Sequence, residues 1–306
     1  KNIKLIMGPL WGIDLGGTKI EGVVLEDRDA PNVLKRIRVP TEREKGYEHI
    51  INQITRVVDV LAIEVGIRPQ KIGIGHPGTL EPSSQLIKNS NTVVLNGMPL
   101  QADLEKALNI PTVLANDANC FAIAETQMGA VKEAVPNAEV VFGVIMGTGV
   151  GGGVVINGKV RNGRQGIAGE WGHNFLDESG GKCYCGSTGC NEMIFSGIAL
   201  EKYYYSIAGK GRKLQEIVAL HLAGEDKAAT MTVNRLLKFF GKAMSNVINI
   251  LDPDAVVLGG GVGNIDLLYT EGVKAVEKHI FNHRLETPFL RPKLGDSAGV
   301  FGAAFL

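Results

Sequence analysis

The chain has 306 residues, enough for one large domain or two of medium size with a sizeable buried core. Lysine plus arginine and aspartate plus glutamate number 32 each, so the basic excess that is typical of nucleic-acid-binding proteins is missing. No apolar run approaches the roughly 20 residues of a membrane-spanning helix. We therefore expect a cytoplasmic protein with reduced cysteines and without nucleic-acid or membrane partners.

Strand and helix patterns alternate along the first half of the chain. The apolar start that runs to Asp14 predicts a buried first strand rather than a signal peptide. Apolar residues recur on one helical face over residues 50–61. Short strands are predicted at 71–75 and 112–116, on either side of a helix at 99–108. This alternation is typical of α/β folds.

The second half begins with a segment that matches the first strands. Residues 143–156 (GVIMGTGVGGGVVI) align without gaps with residues 12–25 (GIDLGGTKIEGVVL), at an offset of 131 (143 minus 12). Each segment predicts a strand, a glycine-rich turn and a second strand. A long helix from Ala228 and a strand with a glycine turn at 254–261 follow. The repeat favours a duplicated fold.

These patterns predict an α/β fold of two close-packed lobes with a cleft between them. In this interpretation residues 1–115 form the N-terminal lobe and residues 116–295 the C-terminal lobe. Residues 296–306 pack back on the N-terminal lobe. The C-terminal lobe carries a loop that is rich in glycine and cysteine.

Three glycine-rich turns follow predicted strands, at 14–19, 147–153 and 258–264. Each alone fits a tight β-hairpin in which glycine serves only the backbone geometry. Together, in an α/β chain, they favour a bound nucleotide, because glycine lets backbone N–H groups approach phosphate oxygens. Asp14, at a strand end, is placed to bind Mg²⁺ through water. Neither the Walker spacing nor the Rossmann fingerprint is present.

Asn116 and Asp117 follow a predicted strand and open a helix. Asp117 at this place is typical of a helix N-cap. The alternative role is a general base that accepts a proton from a hydroxyl. Besides positioning and charge neutralisation, phosphoryl transfer needs little more from a protein than such a base. The residues by themselves favour the cap.

A cluster of metal-binding residue types lies in one loop, where His173, Cys183, Cys185 and Cys190 have the pattern H-x9-C-x-C-x4-C. Three thiolates and one imidazole are the ligand set of a closed, structural zinc site. A disulfide pair and three unrelated thiols are the alternatives, and the C-x-x-C spacing of redox proteins is absent. We interpret the loop as one that zinc stabilises.

Two glutamates flank these residues. Glu170 lies three residues before His173, and Glu192 lies two residues after Cys190. Carboxylates accept hydrogen bonds from hydroxyl groups and could bind a sugar ring. The alternative, two solvated surface charges, is weaker because both glutamates lie close to predicted metal ligands.

The chain resembles the ROK family of bacterial sugar kinases and repressors nearly end to end. The motifs that carry the resemblance are DLGGTK, NDAN, GTGVGGG, GEWGH, CYCGSTGCNE and LGGGV, in family order. Segments 87–97 (IKNSNTVVLNG), 168–174 (AGEWGHN) and 249–269 are similar to fructokinase and mannokinase members. A broad-specificity hexokinase of the family is the alternative.

The resemblance implies the duplicated actin-like, ribonuclease-H-like ATPase fold, with the active site between the lobes. It implies that Asp117 is the catalytic base, against the cap that the residues alone favour. It also implies that His173 serves both zinc and sugar through different sides of its ring. The residues implied to contact the sugar are Gly78, Asn116, Asp117, Glu170, His173 and Glu192. Those implied to bind ATP and its metal are Asp14, Gly16, Gly17, Thr18, Lys19, Gly147, Thr148, Gly149, Gly259, Gly260 and Gly261.

The expected activity is therefore Mg²⁺- and ATP-dependent phosphorylation of the 6-hydroxyl of a hexose, fructose or mannose first and glucose next. An N-acetylhexosamine kinase and a non-catalytic sugar-sensing regulator are the alternatives. Family repressors carry a helix-turn-helix ahead of the first glycine turn, for which this sequence leaves no room. The family also suggests a homodimer.

Overall fold

The computed structural model describes residues 8–306. The part of the predicted first strand that precedes Gly8 lies outside this range. The chain packs as two compact units. Unit 1 holds the residues up to 129 together with 158–168 and 294–306, and unit 2 holds 130–157 and 169–293.

Twelve strands are defined within the described range. They are β1 Leu10–Leu15, β2 Lys19–Leu25, β3 Val33–Pro40, β4 Ile72–His76, β5 Thr79–Leu80, β6 Ile87–Lys88, β7 Thr112–Asn116, β8 Val140–Met146, β9 Val150–Ile156, β10 Lys159–Val160, β11 Ala255–Gly259 and β12 Phe289–Leu290.

The same residues form eleven α-helices, several of them a single turn. They are α1 Tyr47–Val65, α2 Leu100–Leu108, α3 Asp117–Gln127, α4 Ala130–Ala134, α5 Glu192–Phe195, α6 Gly197–Ala208, α7 Leu214–Ala223, α8 Lys227–Leu251, α9 Gly260–Gly263, α10 Glu271–Glu277 and α11 Ala298–Ala304. The predicted strand at 112–116 and the predicted helices at 50–61, at 99–108 and from Ala228 are confirmed.

Unit 1 is built on a five-stranded sheet in the order β3-β2-β1-β4-β7. β1 runs antiparallel to β2 and parallel to β4, and β4 runs parallel to β7. The amphipathic helix α1 covers one face of the sheet and buries Ile54, Val57 and Leu61 completely. Gly22 on β2 makes room for this helix, because a Cβ atom there would lie 2.8 Å from Leu61.

Unit 2 repeats this arrangement in the order β9-β8-β11-β12. β8 and β9 form an antiparallel hairpin like β1 and β2, and β11 runs parallel to β8 as β4 does to β1. Gly12 pairs with Val23 in the first hairpin, whereas Gly143 pairs with Gly153 in the second. The gapless sequence match would have paired Gly143 with Val154, so the second hairpin has a turn one residue shorter than the alignment predicted.

The last helix, α11, packs on unit 1 through glycines. A Cβ atom at Gly302 would overlap the carbonyl of Cys120 on α3, and one at Gly73 on β4 would overlap the carbonyl of Ala303. Gly12 on β1 allows the same close approach to Ala304. The backbone of α11 therefore lies directly against β1, the strand that carries Asp14.

The domain boundary predicted between residues 115 and 116 stays a prediction; by packing, α3 belongs with unit 1. No helix within residues 8–306 combines the length and the apolarity that a membrane span requires.

Candidate active site

The carboxyl ends of three parallel strands in unit 1 bring polar side chains together. Asp14 near the end of β1 pairs in register with Gly75 on β4, and His76 pairs with Asn116 at the end of β7. Asp117 follows immediately, as the first residue of α3. The carboxyl edge of a parallel sheet is the usual place for a ligand in α/β proteins.

Burial and neighbouring charges both act on Asp14 at this edge. Burial, together with the negative charges of Asp117 and Glu21, raises the pKa of Asp14 to about 6, against the opposing effect of Lys19 and Arg38. An ionised Asp14 in this position is disfavoured without a nearby cation. Its hard oxygen ligands fit a magnesium ion, which would remove the repulsion.

The first glycine turn, between β1 and β2, is closed by the N–H of Gly16, which donates to the carbonyl of Lys19 at 2.9 Å. The end of β3 holds the turn from outside. The Thr41 hydroxyl donates to the carbonyl of Gly16 at 2.6 Å, and the Thr41 N–H donates to the carbonyl of Thr18 at 3.0 Å. The Lys19 ammonium lies 3.4 Å from the buried carboxylate of Glu21.

Asn116, and not Asp117, is the N-cap of α3. Its side-chain oxygen accepts a hydrogen bond from the N–H of Asn119 at 2.8 Å. The cap that the residues alone favoured for Asp117 is therefore wrong, and its carboxylate is left for another role. Solvent reaches Asp117, but the surrounding protein removes enough water to raise its pKa, while the N–H of Ala118, at 2.9 Å, lowers it.

Gly78 lies in a tight turn of unit 1 with a positive φ of 86°. A Cβ atom there would lie 2.6 Å from the carbonyl of Lys88 and 2.8 Å from Ser90. Only glycine lets this turn pack against the segment 87–97, which the sequence singled out by its likeness to fructokinases.

The second glycine turn, in unit 2, is tied to Glu192. One oxygen of the Glu192 carboxylate accepts a hydrogen bond from the N–H of Val150 at 2.9 Å, and it lies so close to Gly149 that a Cβ there would overlap it. The carbonyl of Gly147 accepts a hydrogen bond from the N–H of Gly197 at 2.7 Å, which fixes α6 beside Thr148. Glu192 therefore contacts the glycine turn directly, a link that sequence spacing did not predict.

The third glycine turn lies at the end of β11, where α9 begins at Gly260 with a φ of 80°. A Cβ on Gly260 would overlap the carbonyl of Met146 at the end of β8. The two turns border a cavity of about 850 Å³, within the range of small-molecule sites. Its lining includes Thr148, Ile198, Leu214, Gly261, Asn264 and Ile265.

The predicted metal ligands come together in unit 2. One donor atom from each of His173, Cys183, Cys185 and Cys190 lies within 4.8 Å of the others. The Sγ atoms of Cys185 and Cys190 are 3.6 Å apart, and Cys183 Sγ is 3.6 Å from Nδ1 of His173. Sulfur ligands of one tetrahedral zinc ion lie about 3.8 Å apart. The donor set and its spacing fit a tetrahedral metal ion of the zinc type.

His173 presents its two ring nitrogens to different neighbours. Nδ1 faces the cysteine cluster, and Nε2 lies 3.0 Å from the hydroxyl of Tyr184. The ring of Tyr184 packs edge-on against the imidazole, with centroids 5.2 Å apart. Sequence analysis did not identify Tyr184, although its position between two cysteines placed it at the cluster.

Glu170 is held by the loop that follows it. It precedes a single turn of 3-10 helix, Trp171–His173, and the indole N–H of Trp171 donates to the carbonyl of Gly151 on β9 at 3.1 Å. The side-chain amide of Asn191 donates to the carbonyl of Trp171. Residues 170 and 192 are thus attached to one core in unit 2, next to the second glycine turn.

Comparison with known proteins agrees with the motifs. The model of the ROK family matches residues 10–306. The N-acetyl-D-glucosamine kinase of Vibrio cholerae is 36% identical over 306 residues, 97% of this chain and 98% of its own. The enzyme of the same name from Vibrio parahaemolyticus is 34% identical with the same coverage.

Solved structures of the family have the same fold. The ROK hexokinase of Thermus thermophilus is 33% identical, has a TM-score of 0.87 and covers 97% of both chains. A ROK glucokinase of Streptomyces griseus, solved with glucose and AMPPNP, is 28% identical with a TM-score of 0.74, over 97% of this chain and 98% of its own. The resemblance to the family and the actin-like ATPase fold are confirmed. The two Vibrio relatives carry the name of an N-acetylhexosamine kinase, the alternative acceptor class, and a preference for fructose or mannose stays a prediction.

The raised pKa of Asp14 predicts a pH-dependent effect of removing its charge. The Asp14 carboxyl binds its proton more tightly in the folded chain than in the unfolded one. The stability that this proton gives the folded chain is therefore lost as the pH rises from 3.8 to about 6. We expect Asp14→Asn to raise the free energy of unfolding by about 1 to 3 kcal/mol at pH 7.5 and to change it little at pH 4. Urea denaturation in the presence of a chelator measures both.

The exposed Glu48→Gln is the matched control and should leave stability unchanged at either pH. A gain for Asp14→Asn of the same size at both pH values would contradict the electrostatic explanation.

Proposed function

Because the chain belongs to the ROK family of sugar kinases, we propose that it transfers the γ-phosphoryl group of ATP to the 6-hydroxyl of a hexose, with N-acetyl-D-glucosamine as the first acceptor. Kinases of this family use ATP and Mg²⁺. The observation that carries the proposal is the geometry of Asn116 and Asp117. Asn116 caps α3, and this leaves the Asp117 carboxylate at the carboxyl edge of the sheet with a raised pKa.

Asp117 acts as the general base. It accepts the proton of the sugar 6-hydroxyl while that oxygen bonds to the γ-phosphorus and the bond to the ADP oxygen breaks. The raised pKa suits a base, because this carboxylate binds a proton more strongly than an ordinary exposed aspartate does. The capping bond of Asn116 holds the first turn of α3 in place, so the carboxylate keeps its direction.

The glycine turns bind the phosphates. Backbone N–H groups in turns of this kind are exposed to a ligand at short range, and Lys19 adds a positive charge. Asp14 would hold the magnesium ion, which when bound neutralises charge on the transferring phosphoryl group. The cavity beside Thr148 and Gly261 takes the nucleoside, whose apolar surface suits Ile198 and Leu214.

The sugar ligands that the resemblance implies stay predictions. Asn116 and the turn at Gly78 belong to unit 1, and Glu170, His173 and Glu192 belong to unit 2, on or beside the loop that carries the cysteines. The hydrogen bond from Val150 fixes the direction of the Glu192 carboxylate, which favours a defined contact with one hydroxyl pair.

The metal held by the cysteine cluster is zinc, in a structural role. Four protein ligands leave no open position for a substrate, which is typical of structural sites. His173, Cys183, Cys185 and Cys190 would hold the ion, and its contribution is to fold the loop that carries Glu170 and Glu192. Few apolar side chains of this loop are buried, so it depends on another source of stability.

Fructose or mannose is the second candidate acceptor. Segment 87–97 resembles the fructokinase and mannokinase members, and it packs against the turn at Gly78. The relatives named as N-acetyl-D-glucosamine kinases outweigh this single segment in the proposal.

The experiment that tests the proposal is a coupled assay of ADP release with Mg-ATP and a panel of sugars. The panel contains N-acetylglucosamine, N-acetylmannosamine, glucose, fructose and mannose. We expect the highest kcat/KM for N-acetylglucosamine. A preference for fructose or mannose would keep the mechanism and replace the acceptor, and the absence of turnover with every sugar would refute the kinase.

Replacement of the base should separate binding from turnover. We expect Asp117→Asn to lower kcat by about 10²- to 10⁴-fold, because proton acceptance is lost, while the sugar is still bound. Single-turnover kinetics and equilibrium titration with the sugar measure the two effects. Asp103→Asn is the control, since this carboxylate accepts a hydrogen bond from Tyr47 away from the site and should leave kcat unchanged. Near-normal turnover of Asp117→Asn would exclude it as the base.

Loss of one metal ligand should release the ion and loosen the loop. We expect Cys185→Ser to lower bound zinc from one per chain towards none and to raise the KM for sugar at least tenfold, since Glu170 and Glu192 lose their support. Elemental analysis measures the zinc, steady-state kinetics measure the KM, and protease digestion of residues 174–190 measures the loosening of the loop. Cys120→Ser, outside the cluster, should keep its zinc. A Cys185→Ser protein with full zinc and unchanged KM would refute the structural role.

A further inference from the structure

The end of β3 is attached to the first glycine turn and places a short helix beside it. Thr41 donates hydrogen bonds to the turn through both its hydroxyl and its N–H, at 2.6 and 3.0 Å. A single turn of 3-10 helix, Arg43–Lys45, follows two residues later. These bonds fix the position of the helix relative to Gly16 and Gly17.

Glu42, the residue before Arg43, is paired with other cations. It has a left-handed backbone, with a φ of 50°, and its carboxylate pairs with Lys45 and His49 at 2.6 and 2.9 Å. The guanidinium of Arg43 lies 3.3 Å from the place that a Cβ of Gly17 would occupy. Among the described residues, no carboxylate pairs with it.

A second polar group converges on the same point. The side chain of Thr92 is fully buried, and its hydroxyl oxygen has no hydrogen-bond partner among residues 8–306. This oxygen lies 3.5 Å from the place of a Gly17 Cβ. A buried hydroxyl without a partner is unfavourable by about 1 to 3 kcal/mol, so a ligand oxygen that accepted its hydrogen bond would be favoured here.

The other cation of the turn is already engaged. Lys19 lies 3.4 Å from Glu21, and Glu21 also pairs with Arg38 at 2.8 Å. An anion at Gly17 would therefore find in Arg43 the one guanidinium near the turn that, among the described residues, no carboxylate occupies. The planar guanidinium fork matches the oxygens of a phosphoryl group and binds them through two parallel hydrogen bonds.

We propose that Arg43 and Thr92 bind a phosphoryl group at Gly17 of the first glycine turn. This inference rests on the proposed kinase function. The group is either the γ-phosphoryl of ATP or the phosphate of the product, the hexose 6-phosphate. Gly17 keeps the space between the two side chains open, because a Cβ there would meet both of them.

The γ-phosphoryl assignment predicts a difference between two nucleotides. Arg43→Met should weaken binding of Mg-AMPPNP about 10- to 100-fold and binding of Mg-ADP less than twofold, since only the former carries a third phosphoryl group. Thr92→Val, which replaces the hydroxyl by a methyl group, should act in the same direction and more weakly. Isothermal titration calorimetry measures each affinity.

Matched controls come from the same segments. Lys45→Met removes a positive charge two residues along the same 3-10 helix and should leave both affinities unchanged. Thr55→Val removes a hydroxyl that bonds within α1, to the carbonyl of Ile51, and serves as the control for Thr92. Arg43→Lys should restore part of the AMPPNP affinity lost in Arg43→Met, because charge returns without the fork.

The product phosphate is tested by the same titration with N-acetyl-D-glucosamine 6-phosphate as the ligand. If Arg43→Met weakens this ligand at least tenfold and leaves AMPPNP unchanged, the site stands and its ligand is the product phosphate. If Arg43→Met weakens AMPPNP and ADP equally, or neither nucleotide nor sugar phosphate, the inference is overturned. A wild-type protein that binds none of the three ligands overturns it as well.

The titrations do not depend on turnover. A wild-type chain that is inactive on every sugar of the panel but loses AMPPNP affinity on Arg43→Met would refute the kinase and keep the phosphoryl site. If the chain is an active kinase and Arg43→Met changes neither its ligand affinities nor its kcat, the proposed function stands and the site is refuted.

Discussion

Negative charge concentrated at the end of β1 is the constraint on which the candidate site of unit 1 depends. Burial and the nearby carboxylates of Asp117 and Glu21 all disfavour the charged form of Asp14. Buried carboxylates this close together are stable only when cations lie near them. Lys19, on the same hairpin, and Arg38 balance Glu21, and a magnesium ion is the natural partner of Asp14.

The glycine turn of unit 2 lies in a hairpin like that of unit 1, but the charge beside it comes from another segment. This turn carries no lysine or carboxylate of its own, and Glu192 takes the place beside it from outside through the bond to Val150. Glu192 lies two residues after Cys190, so the metal cluster and the glycine turn are physically connected within this unit. A substitution at Cys190 is therefore expected to affect the glycine turn through the start of α5 and the carboxylate of Glu192.

Close backbone packing supports the charged edge of unit 1. Helix α11 lies against β1, β4 and α3 at glycines, and the carboxylate of Asp14 lies 3.0 Å from where a Cβ of Gly299 would be. At these contacts a side chain of any size would push the helix away from the strand end. Part of the abundance of glycine, 40 residues, thus reflects two demands, ligand approach at the turns and helix approach at α11.

The sequence by itself determined the α/β alternation, the long helix α8, the glycine turns and the grouping of His173 with three cysteines, because these depend on local periodicity and on residue types at short spacing. The tertiary structure decided which neighbour each polar group meets. It made Asn116 the cap in place of Asp117, shortened the second hairpin by one residue, joined Glu192 to Val150 and placed Arg43 and Thr92 at Gly17. Thr92 and Gly17 are 75 residues apart (92 minus 17). No local pattern encodes such a contact, which arises only when strand pairing and helix packing bring distant segments together.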